Sequence, residues 1–169
     1  MSSRSEVEAN KLLKRFSISE SPVDVNSIAT ALKISISYEP LDPDISGVML
    51  FENGNTSVAI NSTHHPNRQR FTLAHEIGHL RLHAKANKDG IHVDRRFFRN
   101  DSSSKGEVKE EIEANTFAAC LLMPEPFVKN AIDNEILTDF DIFKLAVKFK
   151  VSEQSMTLRL VKLKYIQPD

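Results

Sequence analysis

Hydrophobic and polar positions alternate along the chain with two clear periods. Over residues 5–16, Val7, Leu12, Leu13 and Phe16 alternate with charged residues at helical spacing, which predicts a short amphipathic helix. Ser21-Pro22-Val23-Asp24 reads as a capping box with proline at the first helical position. A second short helix should follow it and bury Val25, Ile28, Ala29 and Leu32. Ile34-Ser35-Ile36-Ser37-Tyr38 switches to period two, a strand with one wet face. Two further β-rich runs, 47–51 and 57–60, flank Asn53-Gly54, a pair that favours a tight hairpin.

Helical spacing returns from Pro66 to His83, with apolar positions at Phe71, Leu73, Ala74, Ile77, Leu80 and Leu82. Residues 84–108 are polar and basic, broken only by Ile91-His92-Val93, so they read as a loop carrying at most one short edge strand. A loop of that length in a compact domain points to function. Residues 106–123 form a second long helix, apolar almost all round after residue 113 and therefore buried, which Pro124 and Pro126 end. A short helix over 127–134 follows. Thr138-Asp139-Phe140-Asp141 caps a helix running to Lys150, and Ser152 caps another running to Lys164.

Composition narrows the class. The chain has 169 residues, 40% of them hydrophobic and 27% charged, which suits one folded domain with a small appendage and argues against wholesale disorder. A formal net charge of -1 removes global electrostatics as a reason to bind nucleic acid or anionic membrane. No run approaches the roughly 18 apolar residues of a spanning helix, and the polar start Met1-Ser2-Ser3-Arg4 has no signal-peptide character. The single cysteine, Cys120, excludes an intrachain disulfide and a thiolate zinc site, and its place opposite Glu111 on its helix marks it as core. These features lead to the expectation of a cytoplasmic protein, without membrane contact, whose chemistry comes from His, Asp and Glu.

The candidate chemistry lies in His75-Glu76-Ile77-Gly78-His79. Histidines at i and i+4 share a helix face about 5–6 Å apart, the right reach for two imidazole nitrogens each about 2.0–2.1 Å from one zinc ion. Glu76, beside the first histidine, can reach a water at the metal without coordinating the metal itself. The apolar flanks are those of a buried helix, and buried histidines need partners. The spacing that would place a third histidine six residues after His79 fails, since Lys85 stands there. His83 lies too far along the axis to share one ion with both histidines. His64 and His65, just before Pro66, read as cap or surface residues, and His92 as a residue that could face the cleft.

A third ligand must come from the acidic helix Glu110-Glu111-Ile112-Glu113-Ala114-Asn115. Glu111 and Asn115 lie one turn apart in line with Ala118 and Leu122, which predicts a buried face where a carboxylate needs a partner or a metal. Glu113 points about 160° away at 100° per residue. The pairing of a carboxylate with an amide four residues on, able to orient a ligand histidine, favours Glu111 over Glu113.

These segments resemble the ImmA/IrrE family of zincin-like metallopeptidases. The resemblance rests on Ala59-Ile60-Asn61, on Arg70-Phe71-Thr72-Leu73-Ala74-His75-Glu76-Ile77-Gly78-His79-Leu80, on Val93-Asp94-Arg95-Arg96-Phe97, and on Glu111 through Pro124. It implies zinc held by His75, His79 and Glu111, other divalent metals also being compatible, and Glu76 as general base. It further implies a cytoplasmic bacterial or mobile-element protein whose substrate is a helix-turn-helix repressor, cleaved to relieve repression.

The expected fold is α+β. A zincin-like domain over residues 1–134 should have a small, mostly antiparallel sheet packed on the HExxH helix, with the active site between the sheet edge and helix 66–83. A helical, helix-turn-helix-like appendage over 135–169 should follow. Tyr38, His92 and Arg95 are candidates for stabilising the oxyanion. Between 138 and 164, six basic residues face three acidic ones, a local balance of +3. A DNA-binding regulator with a structural metal is therefore one alternative, although so few arginines make a poor phosphate footprint and direct DNA binding is not expected. A toxin-like protease neutralised by a partner is another.

Overall fold

The computed structural model describes residues 3–83, 90–95, 105–133 and 136–167. The first helix, α1 (Arg4–Arg15), is capped by Ser3, whose hydroxyl accepts from the Glu6 backbone N–H, and it buries Ala9, Leu12 and Leu13. The second, α2 (Val25–Ala31), starts later than Pro22. Its cap is Asp24, not Ser21. The Asp24 carboxylate accepts from the Ser27 N–H at 3.1 Å and from the Ser27 hydroxyl at 2.6 Å. An ionised cap oxygen makes stronger bonds to the first-turn donors than a neutral hydroxyl does, and helix formation begins where that cap stands. Val23 is buried ahead of the helix instead of lying inside it.

Among the described residues, four strands make one sheet in the order β1-β3-β2-β4. β1 (Ile34–Glu39) pairs parallel with β3 (Asn55–Asn61), while β2 (Ile45–Glu52) pairs antiparallel with both β3 and β4 (Gly90–Arg95). The expected hairpin forms between β2 and β3, where Asn53 and Gly54 take φ of 51° and 76°. Two successive positive φ values match the right-handed twist of the flanking strands, which is why this dipeptide sits there. The short strand read at Ile91-His92-Val93 is longer than expected and does lie at a sheet edge. The rest of the expected loop falls mostly outside the described residues.

At the end of β3, Asn61 is fully buried and anchors two loops. Its side-chain nitrogen donates to the carbonyls of Leu41, Asp42 and Ile45, and its oxygen accepts from the Thr63 N–H and hydroxyl. One amide thereby fixes where β2 begins and where the chain turns into α3 (Pro66–His83).

Beyond the sheet the chain is helical among the described residues: α4 (Lys105–Leu122), α5 (Glu125–Ala131), α6 (Asp139–Phe149) and α7 (Glu153–Lys162). Thr138 and Asp141 form the expected capping box at α6, and Ser152 caps α7. α3 and α4 pack on each other through Leu73, Ala74, Ile77, Phe117 and Leu121, all without solvent exposure. Phe149, Met156 and Leu160 from the last two helices join the same hydrophobic cluster. The buried Arg159 ties α7 to the end of α4 by donating from Nε to the Met123 carbonyl at 2.9 Å. Cys120 is a buried free thiol in this core, as the helix geometry predicts. The architecture is the α+β arrangement expected, with a small, mostly antiparallel sheet on the motif helix.

Candidate metal centre

The site begins with a glycine. A Cβ on Gly78 would lie 3.1 Å from the Phe117 ring and 3.2 Å from the Ala114 backbone. Only hydrogen at this position lets α3 and α4 approach so closely. That contact brings Glu111 and Asn115, the turns of α4 ahead of Phe117, against His75 and His79 on α3.

His75 Nε2 and His79 Nε2 lie 2.9 Å apart. Glu111 reaches both, with Oε2 at 3.3 Å from His75 Nε2 and Oε1 at 3.1 Å from His79 Nε2. Ligand atoms bound tetrahedrally at about 2.0–2.1 Å from one ion are separated by roughly 3.3 Å, so the three side chains already have nearly the spacing of a zinc ligand set. His75 Nδ1 faces the Asn115 side-chain oxygen at 3.0 Å. With the amide oxygen accepting there, Nε2 is the nitrogen left to turn a lone pair inward. The expected residues are thus brought together.

Glu111 was expected on a buried face, and there the structure differs. Its side chain is 31% exposed and Asn115 is exposed, whereas Ala118 and Leu122 further along the same line are buried. The face is open at its N-terminal half because that half borders a cleft. Glu113 points elsewhere, 3.7 Å from His83 and 3.8 Å from Lys109. His83 accordingly stays outside the cluster, as its position one turn along predicts.

Glu76 is the most diagnostic residue. It has no solvent exposure, and among the described residues neither carboxylate oxygen has a hydrogen-bond partner. Burial, together with the nearby Asp94 and Glu111 carboxylates, pushes its pKa up to about 8 against the opposing charge of His75. A buried carboxylate left without a donor is costly, and water or a cation in the adjoining cleft is the natural remedy. For His75, burial favours the neutral ring, but the hydrogen bond to Glu111 and the charges of Asp94 and Glu76 outweigh it and raise the pKa to about 9. Burial would raise the Glu111 carboxyl too, yet hydrogen bonds from His75 and His79 hold it well below the usual carboxylate range. The donor set, the spacing and the orphaned carboxylate all fit a divalent metal.

In the sequence alone, His92 is only a possible cleft residue and oxyanion candidate, and Asp94 has no role. Both belong here. His92, on β4, lies 3.7 Å from Glu111 with its ring centroid 4.3 Å from that of His79 at a tilt of 47°, so that His75, His79, His92 and Glu111 form one potential ligand group. Asp94 forms a second such group with His75 and Glu76. The signal was present, since alternation along Ile91-His92-Val93-Asp94 puts both on one strand face. Burial and the charge of His79 lower the His92 pKa. Tyr38 is eliminated as an oxyanion donor: it sits on β1, at the opposite sheet edge, and bonds Asn26 at 3.0 Å. The Arg95 side chain lies outside the described residues. His64 and His65 hold the entry to α3, with Arg68 Nε donating to His64 Nδ1 and the Asn67 N–H donating to His65 Nδ1.

The cleft, about 830 Å³, runs from His75, Asp94, Glu111 and Asn115 past Ser46 and Arg68 to Phe143 and Val147 of α6 and the start of α7. It is therefore bounded by the sheet edge and α3, as expected, and also by the last two helices. Among the described residues no helix is long and apolar enough to cross a membrane.

Comparison with known proteins places the chain beside several others. The sequence profile of the IrrE N-terminal-like domain matches residues 29–161. An uncharacterized immunity region protein 2 of Bacillus phage phi105 is 30% identical over 129 residues, 76% of this chain and 74% of the phage protein. The radiation response metalloprotease IrrE of Deinococcus radiodurans is 35% identical over 107 residues, covering 62% of this chain but only 30% of that protein. Among solved structures, a Mycobacterium tuberculosis transcriptional regulator shares the fold with a TM-score of 0.63 at 17% identity, over 93% of this chain and 46% of the regulator.

Proposed function

The chain belongs to the IrrE N-terminal-like domain family, and from that premise we propose that it is a zinc-dependent metalloendopeptidase that cuts a helix-turn-helix transcriptional repressor at one site. The observation that carries the reading is Glu76, a buried carboxylate without a hydrogen-bond partner beside a two-histidine, one-glutamate cluster on an open cleft. The names of the two relatives, an immunity region protein and a metalloprotease, support it.

His75 Nε2, His79 Nε2 and Glu111 hold the ion in this reading, and Asn115 fixes the His75 ring. Zinc at such a site polarises the scissile carbonyl and lowers the pKa of water towards ~7. Glu76 takes a proton from the attacking water on a carboxylate oxygen and returns it to the leaving amine nitrogen. His92 is the oxyanion donor. Its buried Nε2 has no hydrogen-bond partner among the described residues, and at 3.7 Å it stands further from Glu111 than the two ligand histidines do. The edge strand β4, with Ile91 69% exposed, holds an extended substrate by main-chain hydrogen bonds. That grip reads little sequence, so short peptides and casein should be poor substrates.

The test incubates the zinc-loaded chain with casein and with a purified helix-turn-helix repressor. Single-site repressor cleavage that Glu76→Gln abolishes, with metal content retained, is the expected result. General casein digestion beside an intact repressor would overturn the substrate assignment, and cleavage by Glu76→Gln at the wild-type rate would remove Glu76 as the base.

A further inference from the structure

Helix α6 carries two apolar faces. At 100° per residue, Ile142, Leu145, Ala146 and Phe149 lie on one side, where they pack on or belong to the hydrophobic cluster. Phe140, Phe143 and Val147 fall within about 60° of one another on the opposite side. These three are 66%, 46% and 59% exposed. The Phe140 and Phe143 rings stack with centroids 6.4 Å apart, so the stripe is an ordered surface rather than scattered single residues. Contiguous exposed aromatics of this kind mark interaction sites.

Its position identifies the occupant. On one flank, Phe143 and Val147 line the same cleft as His75, Glu111 and Asn115, so the apolar surface is continuous with the metal centre. The opposite flank carries the exposed Lys148 and, beside it, Lys144, whose Nζ lies 5.0 Å from the Phe140 ring centroid and is paired with the Asp141 carboxylate at 2.9 Å. A chain leaving the cleft across α6 meets aromatic anchors first and positive charge beyond them.

We propose that the outer face of α6 is an exosite for the protein substrate. It takes an amphipathic helical segment, remote from the scissile bond, with apolar side chains at i, i+3 or i+4, and i+7 and acidic residues along the edge that meets Lys148. This deepens the peptidase reading and rests on it, since it supplies the selectivity that main-chain pairing on β4 lacks. Two stacked aromatics at the N-terminal end of a helix-sized stripe are the residue types that dominate such contacts.

The test uses a displayed library of random peptides long enough to form a helix, selected on the zinc-loaded Glu76→Gln chain so that nothing is cut. The Phe140→Ala, Phe143→Ala double variant of that chain serves as the comparison, with its zinc content and melting temperature shown to be unchanged. The expected result is enrichment of acidic amphipathic sequences that bind ~10–100-fold more weakly to the double variant, with Lys148→Glu weakening them as well. Selected peptides that bind both chains equally, or no enrichment at all, would overturn the proposal. Self-association removed by the double variant would assign the face to a second copy and overturn it too. Cleavage is read separately. If the selected sequences bind through α6 but the wild-type chain cuts none of them when joined to a repressor linker, the exosite stands and the peptidase reading fails.

Discussion

Asn115 on α4 faces His75 Nδ1 on α3 at 3.0 Å, across the contact that Gly78 makes possible. The amide determines which imidazole nitrogen turns towards Glu111 and His79, so a residue outside the potential ligand group orients one inside it.

Asn115→Ala should leave the helices packed, because Asn115 is exposed and the contact core is Phe117, Ala118 and Leu121. It should weaken zinc binding by ~10–100-fold. Competition against a chromophoric chelator measures this, and equal affinity of variant and wild type would show that the His75 ring needs no such support.

Gly78→Ala acts on the same contact by a different route. A methyl group 3.1–3.2 Å from the Phe117 ring and the Ala114 backbone forces α4 away from α3. Overpacking of this kind costs about 1–3 kcal/mol, readable as a lower denaturant midpoint, and the displacement of Glu111 should lower zinc affinity in parallel. A destabilised variant with wild-type affinity would uncouple the helix contact from the site.

Metal uptake should displace protons. Without metal, His75 has its pKa raised to about 9 and Glu76 to about 8, so both carry a proton at pH 7. Zinc needs the His75 lone pair, and its positive charge favours ionised Glu76. Binding at pH 7 should therefore release about 1–2 protons, and affinity should rise between pH 7 and pH 9 as the competing protons leave. Calorimetric titration in buffers of different ionisation enthalpy counts them. Binding without proton release would contradict the raised pKa values.

Much of this arrangement was legible in the sequence because its signals are local. The two histidines and Glu76 sit within one turn and a half of helix, and Asn53-Gly54 encodes its own hairpin. Glu111 was favoured over Glu113 through its partner Asn115, and the structure turns Glu111 to the cluster and Glu113 to His83. The burial expected along that face failed, because Glu111 and Asn115 border a cleft that no single helix pattern describes. His92 and Asp94 were undervalued for a related reason. Their place depends on the pairing of Met49 with His92 and Gly47 with Asp94, a register between strands about 45 residues apart. The outer stripe of α6 is apolar in the sequence, but only packing reveals which of its two apolar faces the core leaves open.

The central claim is that His75, His79 and Glu111 hold one divalent metal ion. Elemental analysis of the chain purified without exposure to chelators, beside His79→Ala prepared identically, tests it most directly. About one zinc per wild-type chain and little in the variant is the predicted result. A wild-type chain without metal, or a variant carrying as much as the wild type, would contradict it.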